Sequence, residues 1–389
     1  MAHVARAAVG DAMNPNRHFI EQASAGMNGG QIGLSGPHAA LHDTAPEAER
    51  VTIVPLELAG ARWREFADAH PAATLYHGAP WAEVLGRAYG FRILVAMAER
   101  GREVSAGCLL SSSKIPFAGR FIGLPFSDSA APLSVNAQAA AALLRGLAVA
   151  APRRRASFEI RGTAAPAPWQ TSECFRQWSI DVARPFAELE RDADRNFRRQ
   201  VRHALAQGVA VETGDSEAMM QRFYRLQLET RRRLGVPPQP WRFFAAVHEV
   251  FAARGALEVW IAARDGRDLA AVVVLRERDA LYAKWSARAS HGADGASHLL
   301  FFSMLKRYAG HAARLDLGRT DARNAGLARF KEEMGAAASV LPYSYFPRIP
   351  QRANAEDPER ATGMLARVWR RLPLPFTRAI GATAYGFFA

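Results

Sequence analysis

Hydrophobic periodicity sets out one order of elements twice along this chain, and that repetition limits the fold more than any other feature of the sequence. An apolar run of strand length, residues 51–56, leads into two helix-period segments, 61–69 and 81–89. Strand-like runs follow at 93–98, 104–111 and 121–124, with turn signals at Arg100-Gly101 and Ala118-Gly119. An Ala/Leu helix at 137–149 and a strand at 157–161 complete the first series. Pro152 and the Ala-Pro repeats of 164–168 mark a boundary. The second series has a strand at 178–182 and helices at 185–207, 217–234 and 241–253. Strands at 257–262, 269–275 and 281–286 are joined by the hairpin dipeptides Asp265-Gly266 and Arg278-Asp279. A helix at 298–309, a strand at 314–317, a helix at 326–334 and a strand at 339–343 close it. The repetition is one of element order, without a residue-level repeat. It predicts an α/β protein with domains at 51–170 and 171–347, a disordered leader at 1–50 and a basic, apolar tail at 348–389.

Composition narrows the class. With 49% hydrophobic and 22% charged residues, the chain reads as globular, and no apolar run reaches bilayer-spanning length. The N-terminus lacks the basic start and continuous apolar stretch of a signal peptide. Cys108 and Cys174 are too few for a disulfide framework or a metal cage, so a reduced, cytoplasmic setting and no metal are expected. Lysine and arginine together number 50 against 37 acidic residues, a net charge of +13 that suits nucleic acid, a phosphate-bearing ligand or a membrane surface. The surplus is almost wholly arginine, a bias that high-GC coding alone would also give.

The densest local signal is Leu315-Asp316-Leu317-Gly318-Arg319-Thr320-Asp321, which continues through Asn324 and Gly326 to Phe330-Lys331. It reads as an apolar strand end opening into a Gly/Arg/Asp turn, then a helix. A carboxylate, a guanidinium and an ammonium would surround one strand-to-helix corner, where α/β proteins bind ligands. The same residues also fit a surface turn in which Arg319 pairs with Asp316 or Asp321.

The element order is that of the Gcn5-related N-acetyltransferase (GNAT) fold, and two tandem copies resemble the Fem-type peptidoglycan aminoacyltransferases and their FemAB-like relatives. The run from Asn196 through Phe197, Arg198 and Arg199 to Ala204 resembles the basic helix that opens the family's second domain. Phe223-Tyr224-Arg225-Leu226 with Thr230 resembles its next helix, and Tyr282-Ala283-Lys284-Trp285-Ser286-Ala287 with Ser297-His298-Leu299-Leu300 its central strand and following helix. Asp316 to Asp321, with Gly326-Leu327 and Phe330-Lys331, resembles the family's most recognisable motif. The resemblance implies mixed central sheets flanked by helices, and transfer of an acyl or aminoacyl group to an amine. The donor would be acyl-coenzyme A or aminoacyl-tRNA, the acceptor a sugar, peptide or lipid-linked precursor of the cell envelope or a polysaccharide.

Within that fold the strands at 281–286 and 314–317 splay to admit the donor. Ser286, the glycines Gly292 and Gly295 and a helix start capped by Ser297 would hold its phosphates. The pyrophosphate signature of acetyltransferases is absent in clean form, which favours aminoacyl-tRNA. Asp316, Arg319 and Asp128 are the expected catalytic residues, with Asp128 following Gly123-Leu124-Pro125-Phe126-Ser127 in a segment resembling the acceptor side. Lys331, Asp321, Asn324, Lys284 and Arg198 are the expected substrate contacts. Asp316 could instead only orient Arg319, and Glu159 and Arg161, alternating on one strand, could form a structural ion pair.

Arg195, Arg198, Arg199 and Arg202 share a helix face opposite Phe197, Val201 and Leu205. That face is either solvated or a phosphate track for tRNA or a lipid-linked precursor. The run 368–380 alternates basic and apolar residues, suiting either the inner face of a membrane or docking onto the protein body, and Pro373 and Pro375 interrupt any continuous helix. Two further readings stand beside N-acyl transfer: peptidoglycan-bridge synthesis from aminoacyl-tRNA, and a non-catalytic protein binding RNA or an anionic surface.

Overall fold

The computed structural model describes residues 49–112, 119–154, 156–292, 295–350, 363–374, 376–378 and 380. The expected leader, apart from Glu49 and Arg50, lies outside the described residues, as does the tail beyond Ile380.

The first series runs β1 (Arg50–Pro55), α1 (Leu56–Ala69), α2 (Ala79–Tyr89), β2 (Ile93–Arg100), β3 (Glu103–Ser112), β4 (Gly119–Ile122), β5 (Leu133–Ser134), α3 (Ala137–Arg154), β6 (Ala156–Arg161) and β7 (Gln170–Asp181). Two helices, α4 (Phe186–Asp192) and α5 (Arg195–Ala206), lead to the second series. That series is β8 (Ala210–Gly214), α6 (Glu217–Leu234), α7 (Trp241–Ala252), β9 (Leu257–Arg264), β10 (Arg267–Glu277), β11 (Ala280–Arg288), α8 (Ala296–Tyr308), β12 (Arg314–Asp321), α9 (Ala325–Glu333) and β13 (Ala337–Phe346). A short α10 (Met364–Arg371) follows.

Four differences from the periodicity have local causes. The helix expected at 185–207 is two, because Asp194 turns extended and its side chain accepts the Asn196 N–H at 2.6 Å, capping α5. Pro152 falls in the last turn of α3 instead of ending it. The strand expected at 178–182 is only the end of β7, so the second series begins at β8, which half-exposed Ala210–Gly214 gave no clear alternation to reveal. Finally, Gly318 to Asp321 are not a turn but the second half of β12.

Both series build one sheet in the order β1-β2-β3-β4-β6-β13-β7-β12-β11-β10-β9-β8, with β5 paired to β3. The pairings β4–β6 and β11–β12 are parallel and the others antiparallel. The last strands of the two series are exchanged: β7 lies against β12, and β13 lies between β6 and β7. On one face α1, α2, α6 and α7 cover a core that spans both series, where Trp81 meets Phe243 and Trp285. On the other face α3 covers one core, and α5 with α8 covers another. Trp81 is fully buried, so Trp81→Ala is expected to cost about 3–5 kcal/mol.

Candidate functional site

The parallel register of β11 and β12 holds only from Ala280↔Arg314 to Tyr282↔Asp316. Beyond it the strands part, and the edge of β11 that faced β12 is released. Each strand carries a bulge at that point. On β11, Ala283 and Trp285 pair with adjacent residues of β10, so Lys284 is the extra residue. On β12, Asp316 pairs with Ser179 but Arg319 with Gln177, so three steps on β12 span two on β7. Strict alternation would send Arg319 to the face of Leu315 and Leu317, in the α5/α8 core. The extra residue turns it to the face of Asp316. Gly318 makes this possible with φ +70°, and an added Cβ there would sit 3.3 Å from Asp128 Oδ2.

Four expected residues converge at this point. Lys284 Nζ donates to Asp128 Oδ2 at 2.8 Å, and Arg319 Nε lies 3.8 Å from Asp128 Oδ1. The Lys284 side chain is only 5% exposed and sits 4.8 Å from the Tyr76 ring centroid, with Trp81 behind it. Arg319 stacks over Phe175, with its guanidinium carbon 4.4 Å from the centroid, and Arg319 Nη1 donates to the Tyr343 hydroxyl at 2.8 Å. That hydroxyl donates onward to the Asp128 carbonyl at 2.8 Å, and Tyr76 OH donates to Asp128 Oδ2 at 3.1 Å. Burial pushes the Asp128 carboxyl up, but Lys284 and Arg319 outweigh it and hold it below the ordinary range.

Asp316 is the opposite case. Burial, with the charge of Asp128 adding to it, raises its carboxyl to about 6 against the restraint of the Gly318 N–H. The Gly318 N–H (2.8 Å) and Gln177 Nε2 (2.7 Å) both donate to Oδ1. Oδ2 is left as the oxygen that can exchange a proton. Two carboxylates in one site, one held ionised and one near neutrality, divide naturally into an orienting group and a proton carrier.

The other expected residues lie around this centre. Lys331 is 5% exposed and donates to the carbonyls of Gly318 (3.0 Å) and Arg319 (3.2 Å), fastening the bulge from behind. Asp321 accepts the N–H and guanidinium of Arg323, and Asn324 caps α9 by accepting the Leu327 N–H at 3.2 Å, so both shape the turn after β12. Ser286 is exposed on β11, and Ser297 lies inside α8, whose cap is Gly295. A Cβ on Gly295 would sit 2.5 Å from Gln200 O, so this glycine is required by packing on α5. Gly292 faces open space with φ +70°, Arg264 being the nearest side chain. Arg198 is half-buried on α5, and Leu205, expected to face inward, is 56% exposed.

Tyr76, Gln177, Phe175 and Tyr343 escaped the sequence reading. They reach the site from the α1–α2 connection, β7 and β13, and none stands in a motif. Arg161 also belongs to its frame. Paired with Glu159, it donates to the carbonyls of Leu124 (3.2 Å) and Ser127 (2.9 Å) and so holds the segment that delivers Asp128. The β4–β6 pair, which corresponds to β11–β12, is closed there: Gly123 N–H bonds Glu159 O at 2.7 Å. Among the described residues, no three His, Cys, Asp or Glu side chains converge as metal ligands would.

Residues 191–332 match the family of the acetyltransferase (GNAT) domain. The crystal structure of FemX superposes with a TM-score of 0.57 at 16% identity, over 76% of this chain and 96% of that one. The C-terminal domain (DUF2156) of a putative lysylphosphatidylglycerol synthetase from Agrobacterium fabrum gives a TM-score of 0.50 at 12% identity, over 72% and 92%. No curated protein matches the sequence. A GNAT domain implies an acyl-coenzyme A donor in general terms and an amine acceptor. The matched segment, residues 191–332, is a GNAT acetyltransferase domain that holds Lys284, Asp316 and Arg319, and the chain shares its fold with FemX.

Proposed function

We propose that the protein transfers an acyl or aminoacyl group to an amine of a cell-envelope or polysaccharide precursor, with Asp316 as the proton acceptor. The observation that carries this reading is the pairing of a near-neutral carboxyl, Asp316, with the ionised Asp128–Lys284 pair where β11 and β12 part. The acceptor arrives as an ammonium and is inert until it loses a proton, which Asp316 Oδ2 takes. The free amine nitrogen attacks the acyl carbonyl, and the oxyanion forms beside the released edge of β11, whose backbone N–H groups are oriented beforehand. As the C–N bond is kept, the bond to the donor's sulfur or oxygen breaks, and the leaving group takes up the proton that the attacking nitrogen sheds in becoming an amide. Lys284 and Arg319 fix Asp128, which stays ionised to align the acceptor's ammonium. In this division the first series supplies the acceptor side, since its own strand pair is closed by Gly123 and Arg161. The putative lysylphosphatidylglycerol synthetase domain, a neighbour in fold whose name points to an envelope lipid, supports the envelope acceptor, as does the Fem-type resemblance of the sequence.

The donor has a second reading, aminoacyl-tRNA. Glu229 Oε2 already accepts the Ser290 N–H at 3.2 Å in the connection after β11, placing a carboxylate where a pyrophosphate would need donors. The exposed arginines Arg195, Arg199 and Arg202 stand on α5, against which that connection packs. The test is turnover with a panel of acyl-coenzyme A species and of charged tRNAs against amino-sugar and lipid-linked amine acceptors. Wild type is expected to use one donor class, and Asp316→Asn to lose about 10²–10⁴-fold in rate. Equal turnover by Asp316→Asn defeats the assignment, and steeply salt-dependent RNA binding without turnover would favour the non-catalytic alternative.

A further inference from the structure

The strap that follows the sheet is fixed to the protein on one side and apolar on the other. Arg370 Nε of α10 donates to Arg233 O at the end of α6 at 3.1 Å. Ala366 (3% exposed) and Thr377 (1%) turn inward, and Leu374 packs on the core beneath α6 and α7. Outward stand Val368 (55% exposed), Phe376 (62%) and Ile380 (41%), which belong to a small set of large apolar side chains left in water among the described residues. Between them lie the exposed arginines Arg367, Arg370, Arg371 and Arg378.

We infer that the described residues between 363 and 380 form a docking surface for an anionic lipid bilayer. Of the two expectations for this segment, docking on the body is observed, and membrane contact is the role inferred for its exposed residues. Docking on α6 holds these exposed apolar residues on a strap that is already ordered, so they can enter a headgroup layer without further ordering. Arginine beside them is attracted by the negative surface of a bilayer, and the chain's net charge of +13 adds long-range attraction. Nucleic acid would use the arginines but would leave Val368 and Ile380 in water, since aliphatic side chains offer bases nothing to stack on. The position has a functional sense. Arg233 Nη1 donates to the carbonyls of Arg288 and Ala289 (both 3.4 Å) at the end of β11, so the strap lies beside the strand that lines the opened cleft. A bilayer engaged there would bring lipid-borne amines to that side of the cleft. This inference deepens the proposed function by naming how a lipid-borne acceptor is met. No described helix is long and apolar enough to span a membrane, so attachment would be peripheral.

The test is co-sedimentation of the full chain with vesicles of phosphatidylcholine alone or with about one-third phosphatidylglycerol, at low and at near-physiological salt. Binding is expected only to the anionic vesicles, weakening as salt rises. Arg370→Gln with Arg371→Gln should lower the partition coefficient by roughly tenfold or more. Phe376→Ser alone should lower it severalfold, and at 62% exposure this change leaves the fold intact, as an unchanged melting temperature would verify. Failure of wild type to bind anionic vesicles overturns the inference, as does unchanged binding by both variants. Retention on tRNA with none on vesicles also overturns it. Because the readout needs neither donor nor turnover, its failure is distinct from failure of the acyl-transfer reading.

Discussion

As the proposed proton acceptor, Asp316 would carry opposite consequences for activity and stability. With its carboxyl raised to about 6, the native state holds a proton more tightly than the unfolded chain, whose carboxylate titrates near 4. The unfolded state therefore binds fewer protons between those values, and stability falls as pH rises from about 4 to 6 and stays lowered above. Asp316→Asn keeps an oxygen for the Gly318 and Gln177 donors and removes the cost of the charge. Urea unfolding at pH 7.5 should show it more stable than wild type, by on the order of 2–3 kcal/mol, with the gain gone below about pH 4. Turnover, in contrast, should collapse in the variant, and the wild-type profile should rise through about pH 6. Asp128 behaves in the reverse sense, because its ionised form is the stabilised one. Lys284→Met strands it in a buried place and should cost about 3 kcal/mol or more, whereas the double change with Asp128→Asn should recover most of that loss and none of the activity. Thermal denaturation of the three proteins decides this. Asp128, Lys284, Asp316 and Arg319 were legible because each stands in a short, chemically dense run. Gln177 and Tyr343 were not, since only the register of β7 and β13 brings them near, and that register joins residues more than a hundred positions apart; nor was Tyr76, which reaches Asp128 from the connection between α1 and α2.

At the scale of elements, the information hidden from the sequence is concentrated in two bulges. A reading by period two ends β12 at Leu317, because Gly318 breaks the apolar alternation and Arg319 falls out of phase. The same break lets one strand serve both a core and a site: Leu315 and Leu317 stay in the α5/α8 core while Asp316 and Arg319 share the opposite face. Gly318→Ala should cost about 1–2 kcal/mol through its left-handed backbone alone. Its methyl would also press on Asp128 Oδ2, so activity should fall further than stability does, which paired melting and turnover measurements would show. The glycine after β11 teaches the converse. Gly295 reads as a phosphate-loop residue, yet the close approach it permits is to Gln200 of α5. A glycine reports that something comes near, not what.

For the molecule as a whole, element order was legible and strand exchange was not. Periodicity gives each strand its faces, but the choice of neighbour for β7 and β13 depends on edges that either strand could fill. A chain ended after Gly335 lacks β13 and leaves facing edges of β6 and β7 open to other molecules. It should elute as aggregate in size-exclusion chromatography, where the full chain elutes as a discrete species. The exchange also sets a schedule. A ribosome delivers β7 long before β12 and β13, so the first series cannot be finished while it is being made, and the strand that completes it leaves last. That strand also brings Tyr343 to Asp128, so the candidate site and the completed sheet come into being in the same event.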